Sequence, residues 1–410
     1  MANIKPFKCV RPAVDKAEYV AALPYDVYNR EEAKVVVGKN PQSFLAIDRA
    51  ETNFPDEVDT YADEVYAKAS ALLQEWKANG TFVCDEEECY YLYELTMDGR
   101  TQTGIVACAS IDDYVNNVIK KHENTRADKE EDRIRHVDTC SAQTGPIFLA
   151  YRANEVIGQV VAAVKAERAL YDFVSEDGIR HRVFRIADAN QVATVKETFA
   201  NIENVYIADG HHRAASAVKV GLKRRAANPG YNGDEEFNYF LSVLFPDEEL
   251  MIMDYNRVVK DLNGLTEEEF FAKVSELFDV RELDGLTKPG KKGEFTMYLS
   301  GKWYACEVKV ADIPNDPVES LDVSILQKLL LEPVLAIDDP KTNKRIDFVG
   351  GIRGLEELER RCKADCKVAF AMYPTSIGEL FAVADANLLM PPKSTWFEPK
   401  LRSGLFIHEI

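Results

Sequence analysis

The chain lacks the patterns that most directly assign a nucleotide-dependent or membrane function. Its 410 residues contain neither a Gly-x-x-x-x-Gly-Lys-Ser/Thr phosphate loop nor a Gly-x-Gly-x-x-Gly dinucleotide fingerprint. A bound nucleotide would therefore have to be held by a different scaffold. The longest apolar runs, such as residues 240–245, are far shorter than the ~20 residues that cross a bilayer as a helix. We expect no membrane-spanning segment.

Basic residues are scarce relative to acidic ones. The chain has 50 Lys and Arg against 69 Asp and Glu, which gives a formal net charge of -19. Such a charge repels a nucleic-acid backbone unless a basic patch is sharply segregated. Only short basic runs occur, at residues 223–225 and 291–292. The sequence therefore disfavours nucleic acid as a partner.

The eight cysteines are scattered along the chain rather than clustered. Residues 1–7 contain no apolar stretch long enough for a secretory signal, and dispersed cysteines without such a signal fit a reducing cytosol. We therefore expect a cytoplasmic protein. Cys362 and Cys366 lie four apart in a predicted helix, but no second pair lies at zinc spacing. We interpret both as half-buried thiols.

Strand and helix patterns interleave throughout the chain, which predicts an α/β or α+β fold. The length favours more than one domain, and we divide the chain into residues 1–110, 111–255 and 256–410. An amphipathic pattern predicts a helix over residues 56–79. Asp98-Gly99, between two strand-like runs, predicts a tight hairpin. An alanine-rich helix over residues 214–220 is expected to end at Gly221.

The most informative segment is Asp209-Gly210-His211-His212-Arg213, between a predicted buried strand and the alanine-rich helix. The glycine lets the backbone bend closely against a ligand, and the helix start offers free amides and a partial positive charge that suit a phosphate. The histidines and the arginine add hydrogen-bond donors. The aspartate could hold Mg²⁺ or an amine. The alternative is an N-capping aspartate beside solvated histidines.

Residues 207–217 (Ile-Ala-Asp-Gly-His-His-Arg-Ala-Ala-Ser-Ala) resemble the phosphate-binding signature of the ParB/sulfiredoxin-like superfamily, in the form found in free serine kinases. Four further stretches resemble a widespread bacterial and archaeal family of once unassigned function that shares this core: residues 22–27, 118–125, 128–133 and 390–395. The resemblance thus covers essentially the whole chain. It implies a ParB/sulfiredoxin-like core with additional N- and C-terminal α/β regions. Sulfiredoxin chemistry is not implied, because His211 stands where that reaction needs a cysteine.

The resemblance implies a phosphotransferase that acts on the hydroxyl of free L-serine and gives O-phosphoserine, with ADP, ATP or pyrophosphate as donor. Such a reaction needs an aligned acceptor, neutralised charge and a base that takes one proton. Glu123 matches by position the glutamate that serves as base in the serine kinases, and His122 and Lys120 could neutralise charge. The alternative is an exposed, charged helix start. Mg²⁺ is expected because it neutralises the transferring oxygens.

Further candidate ligands come from the other stretches that carry the resemblance. The implied substrate ligands are Tyr25, Asp26, Lys120, His122, Thr125, Lys129 and Arg133. The implied phosphate ligands, besides residues 209–213, are Lys393, Ser394 and Thr395. Each stretch has a structural alternative. Residues 25–26 can cap a turn, residues 128–135 can form a solvated helix with i,i+4 ion pairs, and residues 393–395 can form a surface turn fixed by the preceding prolines.

Two other functions remain open from the sequence. A phosphoserine phosphatase could use the same centre with water as acceptor. A ParB-like nucleotide-dependent binding or regulatory protein would need a basic face or a helix-turn-helix, and we find neither. The expected partner is therefore a small molecule, L-serine or phosphoserine, rather than nucleic acid or a membrane. A homo-oligomer is compatible with the sequence.

Overall fold

The computed structural model describes residues 1–309 and 313–410. The chain has two compact units, the first made of Met1–Leu250 and Pro399–Ile410 and the second of Met251–Glu398. Both mix helices with sheets, which confirms the predicted α/β (α+β) class. Within the described ranges, none of the helices is long and apolar enough to cross a membrane.

The first unit is built on a nine-stranded sheet, whose strands are numbered here along the whole chain. They run in the order β6-β11-β8-β12-β5-β4-β10-β9, and β1 pairs with β5. The strands of this unit are β1 (Ile4–Lys5), β2 (Val10–Pro12), β3 (Phe82–Cys84), β4 (Tyr90–Met97), β5 (Arg100–Ser110), β6 (Ile119–Lys120), β7 (Ala142–Gln143), β8 (Ile147–Tyr151), β9 (Tyr171–Val174), β10 (Arg180–Ile186), β11 (Val205–Asp209), β12 (Tyr239–Pro246) and β21 (His408–Glu409). The sheet takes strands from both sides of residue 110, and the three-region division of the chain stays a proposal.

The helices of the first unit are α1 (Ala17–Val20), α2 (Arg30–Lys39), α3 (Leu45–Asp48), α4 (Asp63–Ala78), α5 (Ile111–Val115), α6 (Ala127–Cys140), α7 (Glu155–Lys165), α8 (Ala189–Phe199) and α9 (His211–Ala227). Two predicted bounds were wrong. The helix predicted from residue 56 begins only at Asp63, because the preceding residues form turns. Helix α9 continues past Gly221, whose missing side chain lets the Phe237 carbonyl approach the helix.

The β4–β5 hairpin forms as its turn residues predict. Asp98 has a φ of 51° and Gly99 a φ of 78°, the left-handed conformations that a two-residue hairpin turn requires. The two strands then pair antiparallel from Tyr91 opposite Val106 to Met97 opposite Arg100. Both strands are almost wholly buried, so this hairpin forms the middle of the sheet.

The position of residues 209–213 follows from the pairing of β6 and β11. These strands are parallel, with Ile119 opposite Val205 and Lys120 opposite Tyr206. Because parallel neighbours end at the same edge of a sheet, the residues after each strand lie close together. Helix α9 then packs its small residues Ala214 and Ala217 into the core of this unit. The candidate site therefore lies at one sheet edge.

The second unit is built on an antiparallel six-stranded sheet in the order β15-β17-β16-β19-β14-β18. Its strands are β13 (Ile252–Met253), β14 (Tyr255–Val259), β15 (Phe278–Leu283), β16 (Glu294–Leu299), β17 (Lys302–Val308), β18 (Ile346–Gly350), β19 (Val368–Ala371) and β20 (Trp396–Phe397). Its helices are α10 (Glu267–Leu277), α11 (Asp322–Leu326), α12 (Glu356–Ala364) and α13 (Ile377–Asp385). A π-helical turn, Gln327–Leu331, follows α11.

Candidate functional site

A glycine turn joins β11 to helix α9. Gly210 has a φ of 91°, which a residue with a side chain rarely adopts. The backbone N–H of Gly210 donates to Oδ1 of Asp209 at 2.9 Å. The 17-residue helix begins at the next residue, His211. Its first-turn amides are the donors that make helix starts suitable for anions.

The Arg213 side chain folds back over this turn. A Cβ atom added to Gly210 would lie 3.0 Å from both Nε and Nη2 of Arg213. Nη1 donates to the Pro146 carbonyl at 2.5 Å, and Nη2 lies 3.9 Å from Oδ2 of Asp209. The guanidinium is therefore held at the helix start, where the planar group can offer donors to an oxyanion.

Asp209 is an ionised partner of two cations. Its Oδ2 lies 3.2 Å from Nζ of Lys400, which belongs to the same unit. Burial would raise the pKa of Asp209, but Lys400 and then Arg213 outweigh it and hold that pKa well below its ordinary value. Because both cations already neutralise the carboxylate, it does not fit as a Mg²⁺ ligand in this arrangement. The Mg²⁺ expected from the sequence stays a prediction.

His211 lies in the interior, facing His122. The residues are 6% and 2% exposed, and their rings are perpendicular with centroids 4.5 Å apart. Burial lowers the pKa of His122 to about 4 and that of His211 well below its ordinary value. Both rings are therefore neutral at pH 7. His211 is less open to an incoming phosphate than the sequence pattern suggested, since its ring packs against the other imidazole.

His212 is half-buried and faces the segment that follows β6. Its Nε2 accepts a hydrogen bond from the backbone N–H of Arg126 at 3.0 Å. A neutral imidazole that accepts through Nε2 carries its proton on Nδ1 and can donate from there. Burial lowers the pKa of His212, and the carboxylates of Asp26 and Glu130 act against that shift. His212 is therefore a candidate donor to a phosphate oxygen.

The predicted strand-to-helix junction that holds Glu123 lies between β6 and α6, as expected. Glu123 is half-buried, and a carboxylate oxygen of it lies within 4.8 Å of ligand atoms of His122 and His211. Thr125 donates its hydroxyl to Glu130, so its hydroxyl secures the start of α6. Lys120 is the last residue of β6 and is half-buried at the same sheet edge. The proposed base thus lies beside the start of α9.

A cavity of about 370 Å³ in the first unit brings together part of the predicted substrate set. Tyr25, Asp26, Lys129 and Arg133 all line it. The Arg133 guanidinium lies over the Tyr25 ring, 4.0 Å from its centroid. These residues come from stretches about a hundred positions apart along the printed sequence, so the fold rather than local sequence makes them neighbours.

The cavity wall carries charges of both signs that the sequence reasoning missed. Asp48 is 4% exposed and accepts a hydrogen bond from the Thr144 hydroxyl at 2.8 Å. Arg49 and Glu51 form an ion pair at 2.6 Å, and all three charged residues line the cavity. The available signal was a charged run directly after the apolar residues 44–47. A cavity with guanidinium and carboxylate groups suits a zwitterion such as an amino acid.

A smaller cavity of about 30 Å³ lies next to this wall. It shares Tyr25, Asp48, Arg133 and His136 with the larger cavity. It is also lined by Arg213. Arg213 of the glycine turn therefore lines a cavity that two of the predicted substrate residues, Tyr25 and Arg133, also line.

The predicted phosphate ligands at residues 393–395 lie in the second unit. Lys393 is exposed with a φ of 59°, and its carbonyl accepts from Nη2 of Arg257 at 3.1 Å. The Ser394 hydroxyl donates to the Pro391 carbonyl at 2.7 Å. Thr395 is half-buried beside it. The Ser394 hydroxyl thus stabilises the turn itself. A phosphate role for residues 393–395 stays a prediction.

One protein family is similar to most of this chain. The family described as "Protein of unknown function (DUF1015)" matches residues 4–324. The search of the curated proteins found no match.

Several solved structures are similar to the chain at low identity. A free serine kinase in complex with AMP is 15% identical and covers 73% of this chain and 91% of its own, with a TM-score of 0.34. A conserved hypothetical protein from Pyrococcus furiosus is 16% identical, covering 74% and 94%, with a TM-score of 0.35. SbnI with C-terminal truncation from Staphylococcus aureus is 11% identical, covering 72% and 85%, with a TM-score of 0.38. These TM-scores are too low to carry a conclusion about the function of this chain.

Proposed function

The chain belongs to the DUF1015 family, and we propose that it is a phosphotransferase acting on the hydroxyl of free L-serine. The product would be O-phosphoserine, and the donor ADP, ATP or pyrophosphate. The observation that supports this most directly is the Arg213 guanidinium, which lies over Gly210 at the start of α9 and lines a cavity together with Tyr25 and Arg133. Membership of the ParB/sulfiredoxin-like superfamily is part of the same proposal.

The transferring phosphate would lie at the start of α9. Phosphoryl transfer leaves little covalent work to the protein, so positioning and charge neutralisation provide most of the catalysis. The first-turn amides and the Arg213 fork would bind the oxygens, and Nδ1 of His212 would donate one more hydrogen bond. Lys400, 3.2 Å from Asp209, adds positive charge to the same region. When Mg²⁺ accompanies the donor, it neutralises further charge on the transferring oxygens.

The acceptor serine would lie in the cavity of about 370 Å³. Its ammonium group can pair with a carboxylate such as Asp48, and its carboxylate with a guanidinium such as Arg133. Asp26, which lines this cavity, also acts electrostatically on His212. This arrangement favours an amino acid acceptor whose hydroxyl points toward the phosphate.

Glu123 would take the proton of the serine hydroxyl. It lies beside the start of α9 and has a carboxylate oxygen within 4.8 Å of a ligand atom of His211. The serine oxygen then attacks the phosphorus of the donor, the donor's bridging oxygen leaves with the bond electrons, and the proton stays on the glutamate. In the reverse direction, the protonated glutamate returns its proton to the serine oxygen.

The proposal is tested by ³¹P nuclear magnetic resonance with L-serine, Mg²⁺ and ADP, ATP or pyrophosphate in separate samples. The expected result is an O-phosphoserine resonance with at least one donor, and weaker signals with homoserine or threonine in place of serine. No O-phosphoserine with any donor would overturn the proposal.

Two further samples separate the alternatives. Phosphate release from O-phosphoserine alone, without a second acceptor, would indicate a phosphatase. Retardation of random-sequence DNA at low salt would indicate a ParB-like binding protein. The proposal expects neither result.

A further inference from the structure

We propose that His122, Glu123 and His211 bind a divalent transition-metal ion, with Zn²⁺ as the ion that best suits them. Each residue offers a ligand atom, and these atoms all lie within 4.8 Å of one another. The site stands on this geometry whether or not the chain transfers phosphate. Only the effect of the ion on Glu123 as a base rests on the proposed function.

The first argument is that two buried imidazole nitrogens lack partners. Within the described residues, Nδ1 of His122 and Nε2 of His211 are inaccessible to solvent and make no hydrogen bond. A buried polar atom left without a partner destabilises the folded state. Two such atoms, on rings that face each other, can be satisfied together by one shared ligand. A metal ion would accept both lone pairs at once.

The second argument is the orientation of the rings. The His122 ring is 2% exposed and meets the His211 ring edge-on. Nδ1 of His122 makes no hydrogen bond, and in the tautomer with the proton on Nε2 its lone pair is available to a metal ion. The perpendicular rings have centroids 4.5 Å apart, so small side-chain shifts would bring the ligand atoms to the ~3.4 Å separation of a tetrahedral ion with ~2.1 Å bonds.

The third argument is the chemistry of the donor set. Two neutral imidazoles and one carboxylate are the ligands of many zinc sites that keep an open position. Mg²⁺ and Ca²⁺ prefer oxygen ligands, so this site differs from the Mg²⁺ expected with a phosphoryl donor. His211 is the first residue of α9, so the proposed site lies next to the glycine turn.

The proposed ion also has a consequence for the proposed reaction. A carboxylate that ligates a metal ion is a weaker base, because the cation stabilises its ionised form. Bound Zn²⁺ would therefore compete with the serine proton for Glu123. If the proposed function holds, added Zn²⁺ should slow phosphotransfer in the presence of excess Mg²⁺.

The test is Zn²⁺ binding to the full chain after metal removal with a chelator, measured by isothermal titration calorimetry. We expect one tightly bound equivalent. His211→Asn and Glu123→Gln should each weaken binding at least ~10–100-fold, the scale of losing even an outer-shell contact. His408→Gln is the matched control, because His408 is also buried and bonds a glutamate, Glu236, at 2.6 Å. It should bind Zn²⁺ as the wild type does.

Substituting Co²⁺ for Zn²⁺ gives a second readout, because its visible spectrum reports ligation by the protein. Glu123→Gln replaces a half-buried side chain by one of the same shape, so we expect this variant to fold. Circular dichroism checks that it does. Stoichiometric binding lost in both site variants would support the proposal. No stoichiometric binding, or equal binding by all variants, would overturn it. Because this readout needs no turnover, a failed serine assay with intact Zn²⁺ binding would refute the phosphotransferase alone.

Discussion

Replacement of Gly210 by alanine tests whether the glycine turn positions the Arg213 guanidinium to bind phosphate. At a φ of 91°, an alanine is strained by ~1–2 kcal/mol. Its Cβ would also lie 3.0 Å from two nitrogen atoms of the Arg213 guanidinium. The guanidinium must therefore shift by a few tenths of an ångström from its position over the turn. We expect a small loss of stability and a large loss of phosphate binding.

Gly178 is the matched control for this replacement. It has a φ of 79°, and an added Cβ would meet no atom within 4 Å. Gly178→Ala thus carries similar backbone strain in the same unit without displacing a side chain. The two alanine variants should show melting temperatures lowered by similar amounts in differential scanning calorimetry.

The difference between the variants should lie in ligand binding. A hydrogen bond to a charged group contributes ~1.5–3 kcal/mol, which corresponds to ~10–150-fold in affinity. We expect Gly210→Ala to bind O-phosphoserine that much more weakly than Gly178→Ala, by isothermal titration calorimetry. Equal affinity of the two variants would refute the assignment of the turn and of Arg213 to phosphate.

Three other outcomes are expected. In the ³¹P assay, Arg213→Lys should lower turnover ~10²-fold or more, because a single ammonium cannot replace the forked guanidinium. Arg225→Lys, near the end of the same helix, should not lower it. Glu123→Gln should lower kcat ~10²-fold with little change in KM; an unchanged kcat would exclude it as the base. Burial lowers the pKa of His122 from 6.5 to about 4, so the unfolded chain binds a proton at a higher pH than the folded chain does. The free energy of unfolding should therefore fall by ~3 kcal/mol as the pH drops from 6.5 toward 4. His122→Asn should flatten this decline in urea unfolding, and an unchanged slope would contradict it.

Local patterns predicted the elements around the site well. Strand β11, the glycine and helix α9 follow one another in sequence, so their order and types could be inferred from residues 205–220. The Asp98-Gly99 turn depends on two adjacent residues, so it could also be predicted from the sequence. The helix predicted from residue 56 was too long, because Val58 and Tyr61 extend its apolar spacing although both precede the first helical residue.

Long-range contacts could not be predicted in the same way. Lys400 pairs with Asp209 across 191 residues of sequence, and no local pattern marks that pairing. The burial of His211 follows from the parallel pairing of β6 with β11, which brings His122 to the same sheet edge. From the sequence alone, a histidine at a helix start is expected to be exposed to solvent, because its contact with His122 is not known. The charged cavity wall at residues 48–51 was missed for the same reason.

The central claim is that the turn before α9 binds a phosphate through Arg213, and a ³¹P titration tests it most directly. O-phosphoserine should show a saturable shift or broadening of its resonance with the wild-type chain, and neither with Arg213→Lys at the same concentration. Equal responses from the two proteins, or none from the wild type, would contradict the claim.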